Sequence, residues 1–267
     1  MQEYNRTDEQ IHYLSQLIAK VNRSFLEPQD DDSHTNLFFD PLSRRVYGRW
    51  VTTPAGPLIF ALELDNFQFQ WLDSRFRVLQ KITVAGKDLE QIEDETMKGL
   101  DGVGLASVDL RQPLHFKLPS YSVSGKTQNK PDSAGLAQWQ FFRSLANDTA
   151  AAVLGHFQVT GEVRIWPHHF DTGISGQVLK SLAIGFGLAM ADNLVNEPYF
   201  YLAGYGEEPF EYTGLTELDA GTWVTGDSWR GALLPLIEIP ENSLSDARDM
   251  LHRFVLKSAA WYLEQSR

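Results

Sequence analysis

Phe67-Gln68-Phe69-Gln70-Trp71-Leu72-Asp73-Ser74-Arg75-Phe76-Arg77-Val78-Leu79 is the stretch that sets the fold class. Its first five residues alternate apolar and polar side chains, the period-two pattern of a half-buried strand. Leu72-Asp73-Ser74 has turn chemistry, and Arg75-Phe76-Arg77-Val78-Leu79 reads as the returning strand. A connection this short makes the two strands antiparallel. Immediately upstream, residues 44–51 and 58–64 read as two more strands around the turn Pro54-Ala55-Gly56-Pro57.

Helices flank this run. Ile11, Leu14, Leu17, Ile18, Val21 and Phe25 recur at helical spacing. Thr7 with Gln10 three residues on has the form of a capping box and predicts the helix start there. Pro28 and Asp30-Asp31-Asp32 end the helix, and the acidic run reads as a solvated loop, since nothing nearby completes a calcium loop. Downstream, Gly86 leads into a helix over residues 87–100.

The order then recurs. After a polar stretch at 120–133, a helix over 134–156 buries Leu136, Trp139, Phe142, Leu145, Ala146, Thr149 and Val153. Strands are expected next at 160–166, 170–175, 180–189, 198–203, 221–224 and 231–237, with Pro235 predicting an edge or a bulge in the last. Ser243 followed by Asp246 opens a closing helix to about residue 264. Asp73-Ser74-Arg75-Phe76 is echoed by Asp227-Ser228-Trp229-Arg230. The expected fold is therefore α+β: two topologically similar halves, each an antiparallel sheet flanked by helices, packed as one compact unit. Residues 1–119 form the first half, 120–133 a linker and 134–267 the second half.

Composition narrows the function. A chain of 267 residues with 43% hydrophobic side chains can bury a substantial core. Its formal charge of -12 argues against nucleic-acid binding, which depends on Lys and Arg neutralising phosphates, and against docking on anionic membranes. With no cysteine there is no disulfide, thiolate metal site or cysteine nucleophile. The N-terminal residues carry no apolar signal core, and the longest nearly apolar run, residues 182–191, falls short of the roughly 18–20 residues of a membrane span. A cytoplasmic location is the expectation.

The densest cluster of chemically capable side chains is Trp166-Pro167-His168-His169-Phe170-Asp171. On a strand, adjacent residues face opposite ways, so His169 and Asp171 would share a face and His168 would not. Glu197 is the natural third ligand and Asp192 a weaker one; such a nitrogen–oxygen set suits a divalent zinc, manganese or iron(II) ion and a metal-assisted hydrolase. The competing reading is a hydrogen-bonded histidine and carboxylate that fix the local chain. A second set, Tyr199, Phe200, Tyr201, Tyr205, Trp223 and Trp229, could line a pocket with hydroxyl and indole N–H groups for orientation. Trp166, His168, Tyr199, Tyr201 and Trp229 are the ligand-contacting candidates. The favoured reading is a small-ligand-binding or scaffold protein with an aromatic, His-lined cleft, and the hydrolase is the alternative.

Familiar signatures fail. Ser120 stands where a P-loop ending in Gly125-Lys126-Thr127 needs glycine. Gly102-Val103-Gly104 and Gly185-Phe186-Gly187 lack the third glycine of a dinucleotide fingerprint, and neither a G-x-S-x-G elbow nor an H-E-x-x-H helix occurs.

The layout resembles the bacterial family designated domain of unknown function 5996. The likeness rests on the opening helix, on Ala137-Gln138-Trp139 running to Leu145, on Trp166 to Asp171, on Asn196-Glu197-Pro198-Tyr199-Phe200-Tyr201, and on Gly231-Ala232-Leu233-Leu234-Pro235 before a closing helix. It covers most of the chain. One departure is residues 186–195, apolar here where members of that family often carry a Gly/Pro-rich loop. The resemblance implies an architecture and carries no reaction with it.

Overall fold

Gln68–Asp73 and Val78–Thr83 pair antiparallel, as the alternation at 67–71 predicts, in a computed structural model that describes residues 1–227 and 229–266. Ser228 of the echoed Asp227-Ser228-Trp229-Arg230 lies outside the described residues. In chain order the elements are α1 (Gln2–Phe25), β1 (Phe38–Asp40), β2 (Arg45–Thr53), β3 (Gly56–Glu63), β4 (Gln68–Asp73), β5 (Val78–Thr83) and α2 (Leu89–Gly99). They continue with α3 (Ser133–Phe157), β6 (Arg164–Ile165), β7 (Thr172–Leu179), β8 (Leu182–Ala189), β9 (Tyr199–Gly206), β10 (Thr222–Thr225), β11 (Arg230–Pro235) and α4 (Leu244–Gln265). The class is α+β, with two antiparallel sheets and four α-helices among the described residues.

The first sheet runs β1-β2-β3-β4-β5, a simple meander; the second runs β10-β11-β9-β8-β7-β6, so that β11 stands between β10 and β9. The chain forms two compact units. Arg6–Gln140 and Ile165–Phe170 make up the amino-terminal unit, within which residues 120–133 fall. Met1–Asn5, Phe141–Arg164 and Asp171–Arg267 make up the carboxy-terminal unit.

In the amino-terminal unit the inner face of the sheet carries Phe60, which stacks on Phe69 at 5.3 Å between ring centroids and leans on Trp71 at 4.8 Å. Against this sheet lies α1. Where β2 passes the helix the residue is Gly48: a Cβ there would stand 2.4 Å from Asn22 Oδ1 and 2.8 Å from Ile18 Cγ2. The β2–β3 register shifts at this point, between Tyr47 and Trp50.

Burial of α1 exceeds the apolar stripe read from its sequence. Ile11, Leu14, Leu17, Ile18 and Val21 are buried, but so are Thr7, Asp8, Gln10, His12, Ser15, Gln16 and Asn22. Buried polar groups need partners, and Asn22 and Gln10 find theirs in loops, tying those loops to the helix, while among the described residues the buried Ser15 hydroxyl has no hydrogen-bond partner. Asn22 donates to the Thr35 and Asn36 carbonyls and accepts from the Arg49 N–H. Gln10 donates to Gln128 Oε1 and to the Asn129 carbonyl. The helix begins at Gln2, so Thr7 lies inside it rather than capping it. Tyr4, fully buried edge-on against Phe142 at 5.6 Å, holds the turn that precedes the expected start.

Two other starts obey local chemistry. Asp88 caps α2 in a reciprocal capping box with Gln91, and Ser243 caps α4 by accepting from the Asp246 N–H at 3.3 Å. In the carboxy-terminal unit α4 closes onto β9 at Gly204, where a Cβ would stand 2.3 Å from Tyr262 Cδ1. Pro235 occupies neither an edge strand nor a bulge. It is the last residue of β11, paired with Tyr199, where the ladder gives way to a 3-10 turn over Leu236–Glu238.

Candidate functional site

The Trp166–Asp171 stretch is a turn, not a strand. β6 ends at Ile165, which exchanges backbone hydrogen bonds with Leu37 at 2.8 and 2.9 Å. The chain then closes on itself through the Phe170 N–H to the Trp166 carbonyl at 2.6 Å, with Phe170 in the left-handed region at φ 60°. That conformation is uncommon for a bulky side chain and persists only where surroundings enforce it. The enforcing contacts come from α1. His12 Nε2 and Gln16 Nε2 both lie 2.8 Å from the Pro167 carbonyl oxygen. A carbonyl only accepts, so Nε2 of His12 carries a proton, and in the neutral ring Nδ1 accepts from the Tyr121 hydroxyl at 2.7 Å. Phe170 stacks on the His12 ring at 4.7 Å, and Trp139 beyond it donates its indole N–H to Asp8 at 2.7 Å. Burial, with the Asp8 and Glu9 charges, raises the Tyr121 hydroxyl well above its ordinary range, so it stays a donor.

The turn overturns the alternation expected of His168 and His169. Their rings sit side by side, 4.5 Å apart at 58°, rather than on opposite faces. His168 is half-buried between Phe116 at 5.7 Å and Trp166 at 6.3 Å, whereas His169 is exposed. Burial first, then the neighbouring His169, push the His168 pKa down; Asp32 pulls it the other way. His115, paired with Asp32 at 2.9 Å, completes this loop cluster.

A separate arrangement occupies one face of the second sheet. The pairings place Gly187 opposite Tyr201 and Gly185 opposite Ala203, with Gly173 across from Gly187. The small residues Ala183, Gly185, Gly187 and Ala189 thus form a floor along one side of β8, beside Tyr199, Tyr201 and Tyr205 of β9. Tyr201 lies across that floor: a Cβ at Gly187 would stand 2.8 Å from its hydroxyl. The hydroxyl donates to Asp171 Oδ2 at 3.1 Å. Tyr199 donates to Asp192 Oδ2 at 2.8 Å, and Asp192 Oδ1 also receives the Leu194 and Val195 N–H groups. Trp229 meets Tyr201 edge-on at 6.3 Å. Burial and then the adjacent carboxylates raise both tyrosine pKa values, keeping both hydroxyls protonated as donors. The face is closed at the Tyr199 end, where Leu194, Val195, Val224 and Trp229 pack on Ala189 and Leu233. It opens toward Tyr205, which is 55% exposed.

Of the expected ligand-contacting residues, Tyr199, Tyr201 and Trp229 come together here, while Trp166 and His168 belong to the turn described above. Asp171 joins the aromatic face as the acceptor of Tyr201. The expected metal set of His169, Asp171 and Glu197 is not assembled: among the described residues no group of three or more His, Asp or Glu side chains could hold a metal ion. His169 is exposed and Glu197 half-buried. His12, Tyr121 and the glycine floor were not singled out from sequence. The floor had a signal, a small residue at every second position from Ala183 to Ala189; His12 had only its place within an apolar helix.

A separate cavity shares no lining residue with this face. It is a groove of about 480 Å³ between α3 and α4, walled by Ala151, Ala152, Val153, Val255 and Leu256. At its rim Arg248 is paired with Asp148. No helix among the described residues is long and apolar enough to cross a membrane. No family model, curated protein or solved structure matches the chain.

Proposed function

We propose that the chain is a small-ligand-binding protein whose site is the tyrosine- and tryptophan-lined face of the second sheet. The observation that carries this reading is the pair of tyrosine hydroxyls, each held by a carboxylate over a floor of small residues, beside a half-buried Trp229. Fixed aromatic faces with a few oriented polar groups are how small ligands are held. The two carboxylates at the edge disfavour anions, so the ligand is neutral or cationic and carries a ring or alkyl body that can stack on the aromatics.

The test is ligand-observed NMR with a panel of monosaccharides, aryl amines and quaternary ammonium salts, using benzoate and phenyl phosphate as anionic controls. Binding by the neutral or cationic members, weakened tenfold or more in Trp229→Ala, supports the site. Because the α3–α4 groove is a competing space of about 480 Å³, an Ala152→Trp variant fills it without touching the tyrosines. Binding lost in that variant alone would move the site to the groove, and binding of only the anionic controls would end the reading.

A further inference from the structure

The outer face of the first sheet carries an apolar surface that the ligand site does not use. Strand pairing puts Phe38, Tyr47, Ala61, Gln70 and Lys81 in one row, and Trp50, Ile59, Leu72 and Val78 in the next, all on the same side. Tyr47, Ile59, Ala61 and Leu72 form a buried cluster. Around it Phe38, Trp50, Phe76 and Val78 remain 42%, 41%, 56% and 37% exposed. Phe76, at φ 58° in the β4–β5 turn, folds over this face, 5.7 Å from Trp50 and 6.1 Å from Tyr47. Contiguous exposed apolar surface of this kind marks an interaction site.

The surface runs to an open sheet edge. β5 is the last strand of the meander, and among the described residues its backbone is bonded to β4 alone. An unpaired edge is a template for another strand.

The charges around the surface decide what fits it. Of the acids around it, Asp73 and Asp65 are ion-paired with Arg77 and Arg44, whereas Asp40, bonded to Ser43, and Glu63, bonded to the Asp65 and Asn66 N–H groups, stand on β1 and β3, away from the β5 edge. Arg75 and Lys81 are exposed, and among the described residues neither is in an ion pair. In a chain of net charge -12, the β5 side of this apolar surface carries two cations without an ion-pair partner. A second copy adding edge to edge at β5 would oppose Arg75 and Lys81 with like charge.

We propose that the free edge of β5 and the apolar surface beside it bind an extended, acidic segment of a partner protein. The segment adds as a sixth strand, its main chain bonded to β5. An apolar side chain packs on Val78 and Phe76, and a carboxylate on the same face lies opposite Lys81, a favourable cross-strand pair.

The probe is a fluorescein-labelled peptide, Phe-Thr-Glu-Thr-Glu-Thr-Glu, compared with its lysine counterpart, Phe-Thr-Lys-Thr-Lys-Thr-Lys, by fluorescence anisotropy on the full chain. The expected result is saturable binding of the acidic peptide only, weakened at least tenfold by Lys81→Glu. The doubly reversed Arg75→Glu, Lys81→Glu variant then prefers the lysine peptide. Both positions are exposed, and circular dichroism checks that the variants fold. Equal binding of the two peptides, or none at millimolar concentration, overturns the proposal. So does sedimentation showing a wild-type dimer that Phe76→Ser dissolves, which would give the surface to a second copy. If Lys81 serves only to keep the edge from pairing, Lys81→Thr will self-associate while the peptide stays unbound, and that outcome also overturns it.

Discussion

His12 shows what one side chain can do from inside a helix. It fills three roles at once: it donates to the Pro167 carbonyl, accepts from the Tyr121 hydroxyl, and offers its ring as the surface on which Phe170 stacks. Replacing it with alanine leaves the Tyr121 hydroxyl without this partner, removes one of two donors to Pro167, and opens a cavity beneath Phe170. The cavity and the lost hydrogen bonds together are worth about 2–4 kcal/mol. His12→Ala should therefore unfold at clearly lower denaturant, and Tyr121→Phe, which loses one bond and no volume, should fall by about 1 kcal/mol. A His12→Ala variant as stable as the wild type in urea titration would show that the turn holds itself. On the second sheet, Tyr201→Phe removes the donor to Asp171 and should cost about 1–2 kcal/mol. Tyr205→Phe, on an exposed ring, should change stability by less than about 0.5 kcal/mol. Neither partnership could be read from the chain: His12 and Pro167 are 155 residues apart, and Tyr201 and Asp171 are 30 apart.

Elements were legible in proportion to how local their causes are. The closing helix was expected from Ser243, and it starts at Leu244 with Ser243 as its cap, because a cap is a contact between neighbours. The helix expected over 134–156 spans Ser133–Phe157, and the 67–79 hairpin is present. Where tertiary contacts decide, local signals misled. Thr7 and Gln10 imitate a helix start, yet the buried Tyr4 carries α1 back to Gln2. The strand expected over 160–166 shrinks to two residues, and the donors that α1 aims at the Pro167 carbonyl bend residues 166–170 into a turn. Two measurements separate local from tertiary causes. Ser243→Ala should lower stability by about 1 kcal/mol, the value of an N-cap, without changing the fold. Gly48→Ala should cost more than that, since its Cβ would collide with Asn22 and Ile18 on a buried helix and force β2 and α1 apart. A Gly48→Ala variant no less stable than Ser243→Ala would mean that this approach is slack.

At the scale of the whole molecule, two electrostatic effects act in opposite directions as the solution is acidified. The chain carries a formal charge of -12, and self-repulsion in a compact state of high net charge is destabilising. Added protons reduce the net negative charge and so relieve this repulsion. His168 works against this. Its folded pKa lies below the ordinary 6.5 because burial, and then His169, disfavour its cation; His115 adds to this and Asp32 only partly offsets it. A histidine whose folded pKa is depressed leaves stability intact well above pH 6.5. Below that value the unfolded chain takes up a proton that the folded ring refuses, and stability falls until the folded pKa is passed. His168→Gln removes this penalty and leaves the overall charge nearly unchanged. The melting temperature of the wild type relative to His168→Gln should therefore stay constant above about pH 7.5 and decline steadily toward pH 5.5. Salt separates the two effects: at about 1 M ionic strength the Debye length is about 3 Å, which screens the long-range repulsion but leaves the desolvation of a half-buried ring. The decline in the difference should persist in high salt while the general stabilisation on acidification disappears. If the wild type instead gains on His168→Gln as the pH falls, the ring is charged in the fold, and the dominant neighbour of His168 is Asp32 rather than His169.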